Sequence, residues 1–306
     1  MDIRKVFFGL ALSLLLGNGM VVAADFYKGL RAAQSGDFKT ALAEWTPLAE
    51  EGDAQSQGNL GILFAFGRGV TKNNETAVKW YAKAAEQGVV EAQYNLGVMY
   101  EYGYGIKKDA GSAVTWYTKA GEQGHPKAQH NLGVIYANGT GVSANDKLAI
   151  KWYTAAAEQG VVQSQHNLGI WYSDEDIVQQ NYKTAVRWFT LASEGGFARA
   201  QDQLAQMYRR GEGVQQNSES AFKWYARAAK QGFSASQSAL SVAYVEGDGV
   251  RVDTNRGRMW LILASDNGDA RAAWLEKILV KEIAPSELAV IVKMAKLCIA
   301  SGYTDC

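Results

Sequence analysis

The chain has 306 residues, with 31 basic and 31 acidic side chains, 47% hydrophobic residues, 32 glycines, 3 prolines and 2 cysteines. That apolar fraction is enough for a sizeable core and excludes a chain disordered throughout, while few prolines beside frequent Ala and Leu favour helices joined by glycine turns. Balanced charge, with no run of five like charges, leaves no long-range field that would select nucleic acid or an anionic membrane.

At the amino end, Arg4 and Lys5 precede an apolar run from Val6 to Leu16, and small residues follow in GNGMVVAAD. This is the layout of a secretory signal peptide. The run falls well short of the ~20 residues that cross a bilayer. Val22 and Ala24 fit the small-residue rule for cleavage before Asp25, with cleavage after Ala23 nearly as good, so residues 1–24 are expected to be removed. No cysteine follows the site to carry a lipid anchor. Losing Asp2, Arg4 and Lys5 leaves 29 basic and 30 acidic residues in a chain expected to be periplasmic or secreted, with no stable membrane anchor.

Residues 25–52 read as a divergent helix pair, with Trp45 one place later than the tryptophan column that follows. From there the chain repeats every 36 residues. Trp80, Trp116, Trp152, Trp188, Trp224 and Trp260 share one column, and Gly52, Gly88, Gly124, Gly160, Gly196, Gly232 and Gly268 share another. A fixed period in this range marks units that cannot bury their apolar faces alone and stack on their neighbours.

Each unit reads as two helices. Ala77, Trp80, Tyr81, Ala84 and Ala85 line one face of the second, and Gly88 stops it. Ala92, Leu96, Gly97 and Tyr100 mark the first, with Gly97 where two helices approach closely. Between them lie GRGV, GYGI, GTGV, GEGV and GDGV, then an N-cap column of Asn73, Asp109, Asn145, Asn181, Asn217 and Asp253.

The pattern small–Q–x–x–L–G–x–x–Y, then G–x–G–V, then A–x–x–W–x–x–A–A–x–x–G resembles the Sel1-like repeat family, relatives of the tetratricopeptide repeats. It covers residues 53–268 as six units, 53–88, 89–124, 125–160, 161–196, 197–232 and 233–268. The resemblance implies an all-α fold: an α/α superhelical solenoid of 36-residue helix-turn-helix repeats, with the first helices lining the concave face. It also implies an adaptor role in envelope signalling, assembly or host interaction. Residues 269–306 read as a pair of capping helices.

If packing fixes the repeated columns, binding belongs to columns that vary. A stripe through Tyr94, Val98 and Glu101, opposite the packed face, is expected to form a groove. Its first column reads Gly58, Tyr94, His130, His166, Asp202 and Ser238; its third includes Glu101, Ser173 and Arg209. Phe66, Tyr94, Tyr102 and Tyr104 concentrate aromatic character toward the amino end, either as an anchor for a protein or peptide partner or as cover for the next repeat.

Other chemistry is sparse. His130 and His166 share a column, but no cysteine or carboxylate column completes a four-ligand zinc shell, so no metal and no cofactor are expected. SDEDIVQQNY at 173–182 replaces one glycine loop with Asp174, Glu175 and Asp176, which lack the alternating ligand spacing of a calcium loop and read as a solvated variant, with a cation site or a partner contact as the alternatives. SAFK at 220–223 and SDN at 265–267 look like two of three penicillin-recognising serine-enzyme motifs, with no K-T-G after them. Both fall inside repeat columns and read as coincidence. They nonetheless define the alternative to a non-catalytic scaffold: an envelope protein binding β-lactams or cell-wall peptide, with weak β-lactamase-like activity. Cys298 and Cys306 form an even pair expected to be a disulfide that pins the last helix.

Overall fold

The computed structural model describes residues 20–175, 180–304 and 306. These fold into sixteen α-helices arranged as helix-turn-helix units, with no strand among the described residues. The leader expected over residues 1–24 lies outside the described residues as far as residue 19; the first helix begins at Met20.

The chain forms two compact units, one running through Trp116 and the other from Tyr117 to Cys306. The first contains α1 (Met20–Gln34), α2 (Phe38–Glu50), α3 (Ala54–Phe66), α4 (Asn74–Glu86) and α5 (Val90–Tyr102). The boundary falls within α6 (Ala110–Glu122). The second continues with α7 (Pro126–Asn138), α8 (Asp146–Glu158), α9 (Val162–Ser173), α10 (Tyr182–Glu194), α11 (Ala198–Arg210), α12 (Ser218–Ala229), α13 (Ser234–Glu246), α14 (Thr254–Asp266), α15 (Ala270–Glu282) and α16 (Pro285–Ala300).

The N-cap column is used throughout. Asn73 accepts from the Thr76 amide at 3.0 Å, Asn145 from Leu148 at 3.0 Å, Asn181 from Thr184 at 3.0 Å and Asn217 from Ser220 at 2.8 Å. Asp253 accepts from the Arg256 amide at 3.0 Å, and Asp109 from Gly111 at 3.0 Å. Each side chain satisfies an amide that the first helical turn leaves without a partner.

Within a repeat the two helices meet through a small residue under a ring. A Cβ on Gly61 would lie 2.5 Å from the Tyr81 ring, and one on Gly133 would lie 2.4 Å from Tyr153. Trp45 does the same work against Gly29, where a Cβ would lie 2.6 Å from the indole nitrogen. Its displacement from the tryptophan column is thereby explained, since Trp45 stands 36 residues before Tyr81 and fills the tyrosine position. The glycine loops seat each unit on the one before. Gly213 has φ +70°, and a Cβ there would lie 2.4 Å from the Tyr182 carbonyl oxygen, so the loop lies against the start of α10.

A buried row of glutamines stitches successive helices together. Gln57, Gln93, Gln129, Gln165, Gln201 and Gln237 are buried, and each donates its amide to a carbonyl eight residues back, at 2.9–3.1 Å. These carbonyls lie near the ends of the preceding second helices, where each also accepts from the amide of the glycine three residues on, so the glutamine adds a second donor to each. The glutamine oxygens then accept from the end of the following second helix: Gln57 from Gln87 at 2.8 Å, Gln129 from Gln159 at 2.7 Å, Gln201 from Gln231 at 2.8 Å and Gln237 from Asn267 at 3.0 Å. Gln165 is the exception; residue 195 is glycine, and the Gln165 Oε1 atom is buried without a hydrogen-bond partner.

The carboxyl end departs from the expected capping pair. α15 takes the place of a first helix, but α16 packs chiefly on α14. There Ile291, Ala295 and Cys298 join a core with Tyr225, Leu240, Met259, Trp260 and Leu263. Arg258 pairs with Glu287 across the same contact. The disulfide ties Cys306 back to Cys298 in α16, and Tyr303 accepts a hydrogen bond from Asn267 at 3.0 Å. A terminal cap presents a polar outer surface, whereas Trp274, Val280, Val290 and Leu297 are exposed here. The reason is local: α16 has an apolar side that finds its burial on α14, leaving α15 uncovered.

Candidate functional site

The first helices carry the variable columns, and the structure sorts those columns by depth. The sequence places Tyr94, His130, His166 and Asp202 opposite the packed face; the structure instead turns this column inward. His130 Nδ1 lies 2.8 Å from the Ser164 hydroxyl, which belongs to the next first helix. Asp202 is buried and accepts from Ser236, again on the next first helix, at 2.6 Å, and from Gln206 at 2.7 Å. Ser238 donates to Asp269 at 2.7 Å. In the second unit the column is therefore a seam between neighbouring first helices. Placing residues on a single helix shows which face meets its own partner helix but not that consecutive first helices lie side by side.

Burial shows in the titration of these groups. Desolvation lowers the pKa of His130 and is the largest influence lowering that of His166. The His166 ring lies edge-on to Phe197, with centroids 5.1 Å apart, and tilts on Phe189 at 5.8 Å. Both histidines favour the neutral form, in surroundings built for packing. Among the described residues no group of three or more His, Cys, Asp or Glu is placed to hold a metal ion. In the first unit Tyr94 is half-buried, and its phenol is pushed up to about 12, first by burial and then by the Glu91 and Glu101 carboxylates.

The remaining positions differ in exposure. Val98 and Glu101 are half-buried, while Tyr102 and Arg209 are exposed. Tyr102 and Tyr104 are 57% and 50% exposed, and their rings stack with centroids 5.6 Å apart and planes 17° from parallel. The Glu101 carboxylate is the main influence raising the Tyr102 pKa. Phe66, at the equivalent helix end one repeat earlier, is 50% exposed, with the Arg68 guanidinium 5.5 Å from its ring centroid. Of the two readings of these aromatics, cover for the next repeat leaves about half of each ring unaccounted for. The ends of α3 and α5, with the loop after α5, thus present exposed rings as an aromatic platform in the first unit.

In the second unit the corresponding helix ends are polar. A cavity of ≈ 140 Å³ opens there, with Ser173, Tyr182, Gln203, Gln206, Arg210 and Glu212 among its lining residues. Arg210 and Glu212 approach to 3.7 Å. The cavity adjoins the repeat that lacks its glycine loop. Asp174 is half-buried at the end of α9 and Glu175 is exposed, while Asp176 lies outside the described residues.

The two serine-enzyme strings serve the repeat. The Ser220 amide donates to the Asn217 cap, and Lys223 pairs with Glu219 at 2.6 Å. Asn267, at the end of α14, is held by Gln237 and Tyr303.

The family described as Sel1 repeat matches residues 54–89, 90–125, 126–161, 162–197, 198–233 and 234–269. The solved structure of a Sel1 repeat protein from Oxalobacter formigenes is 34% identical, with a TM-score of 0.67, covering 78% of this chain and 96% of its own. A protective antigen present in uropathogenic Escherichia coli strains, displaying an SLR fold, is 25% identical with a TM-score of 0.58, covering 92% of this chain and 70% of its own. No curated protein matches the chain.

Proposed function

Because this chain belongs to the Sel1 repeat family, we propose that it is an exported, non-catalytic scaffold that binds a protein or peptide partner on the first-helix face of its repeats. The observation that carries this reading is the stacked and exposed Tyr102–Tyr104 pair, with Phe66 exposed at the equivalent helix end one repeat earlier. Rigid aromatic side chains with open faces supply contact area at low entropic cost and anchor protein interfaces. They stand on helix ends fixed by the repeated caps and loops, so the platform is organised before a partner arrives. Exposed Arg209, Arg210, Val242 and Val245 extend the contact surface of the second unit.

One observation supports export: the Cys298–Cys306 disulfide fits an oxidising compartment. Among the described residues no helix is long and apolar enough to cross a membrane.

The test is affinity capture from envelope extract, run with the wild-type chain beside a Tyr102→Ala/Tyr104→Ala variant of equal thermal stability. A partner retained by the first and reduced at least tenfold on the second supports the reading. A partner retained equally by both removes the platform from it. Nitrocefin turnover that disappears in Ser220→Ala would replace the scaffold with the β-lactam alternative.

A further inference from the structure

The six repeats leave a seventh first helix uncovered. α15 begins 36 residues after α13 and, like α3 with Asp53, is capped by an aspartate, Asp269 accepting from the Ala272 amide at 2.9 Å. Trp274 falls in the column of His130, Asp202 and Ser238, whose members bond to the next first helix along. The next helix, α16, packs chiefly on α14 and does not take the next first-helix place. Trp274 is consequently 62% exposed, the most open large hydrophobic side chain among the described residues, and Ala272 is the one buried residue of its helix.

We propose that α15 is a self-association surface on which a second copy of this chain lays its own α15 antiparallel, about a two-fold axis. At 100° per residue, Arg271, Trp274, Leu275, Ile278, Lys281 and Glu282 share one face. The apolar residues occupy its middle, and Arg271 and Glu282, opposite in charge, stand toward its two ends, separated along the axis by ~16 Å. An antiparallel copy sets each Arg271 beside the partner's Glu282 and each Trp274 over Ile278 of the other helix. The face is therefore complementary to itself, as a two-fold interface requires. A parallel copy would instead bring like charges together. The full chain carries 31 basic and 31 acidic residues, so no net repulsion opposes pairing.

The interface is the width of one helix and ~20 Å long, the scale of a weak, reversible contact and not of a permanent dimer. Sedimentation equilibrium of the purified chain from about 1 to 300 µM, a range suited to weak association, should show a monomer–dimer equilibrium. Trp274→Lys should weaken it at least tenfold with unchanged helical content, since Trp274 adds little to the fold. Arg271→Glu and Glu282→Arg should each weaken dimerisation, and the double variant, which restores opposite charges across the axis, should return it to within about threefold of wild type. A chain that stays monomeric throughout overturns the proposal and leaves the face to a different protein. Dimers that survive Trp274→Lys, or a double variant as weak as the single ones, overturn it as well.

Discussion

Gln159 Nε2 stands 2.7 Å from Gln129 Oε1, joining the end of one repeat's second helix to the first helix of the same repeat. Gln129 in turn donates to the Gly121 carbonyl at 2.9 Å, so one buried side chain ties three consecutive helices. Gln165 repeats the donor half of this arrangement, reaching the Ala157 carbonyl at 3.0 Å, but lacks the acceptor half because residue 195 is glycine. A side chain cannot simply be restored there, since a Cβ at 195 would lie 2.4 Å from Val162.

The difference between the two glutamines is measurable. Gln129→Met should destabilise the second unit by ~1–3 kcal/mol by stranding buried polar partners. Gln165→Met removes an acceptor that is already unsatisfied, and its cost should be smaller by ~1 kcal/mol. Urea denaturation of both variants decides the point; equal losses would mean that the orphaned oxygen carries no penalty.

Gly133→Ala should cost ~1–3 kcal/mol through overpacking against the Tyr153 ring. Combining it with Tyr153→Leu should be less destabilising than the sum of the single changes, because both act on one contact. Strict additivity in thermal unfolding would show that the close approach is not what limits residue 133.

Burial of Trp152 and the half-burial of Tyr94 set different costs. Trp152→Ala should lose ~3–5 kcal/mol. Tyr94→Ala should lose a measurable but smaller amount, ~1–2 kcal/mol, as a partly covered ring does. Chemical denaturation that finds Tyr94→Ala neutral would return that residue to the solvent side.

His130 and His166 predict a pH dependence. Both folded-state pKa values lie below the ordinary 6.5, so the unfolded chain binds more protons between the lowered values and 6.5. Stability from these groups is fully present above pH ~6.5 and is lost as pH falls toward the folded pKa values. His166→Phe should flatten that part of the melting-temperature profile, while the slope at lower pH from Asp109, Asp269 and Glu219, whose pKa values are also lowered, should persist. An unchanged slope above pH 5 would count against the histidine origin.

Reduction of Cys298–Cys306 should destabilise the carboxyl end by ~2–3 kcal/mol, as expected for a loop of this length. The effect should be local, releasing Tyr303 from Asn267 and leaving the first unit unchanged. Hydrogen exchange with and without reductant would show protection lost in α16 alone, or else spread through the second unit if α16 supports more than its own packing.

The sequence by itself determined the period, the helix pair in each repeat, the N-cap column and the small residue under each ring. All of these are local periodicities or steric requirements written within a few turns of chain. It also pointed to Tyr102 and Arg209 at open helix ends, and to the cysteine pair. Tertiary structure alone decided what lies across from residues about 36 apart. Tyr94 came to rest half-buried, which its own helix does not reveal. His130 and Asp202 became partners of Ser164 and Ser236, the glutamine row acquired its acceptors, and α16 turned to α14 instead of covering α15. The physical reason is the same in each case: a helix's own apolar stripe fixes its contact with the neighbour joined by a short turn, whereas the packing of successive units depends on where whole helices come to rest.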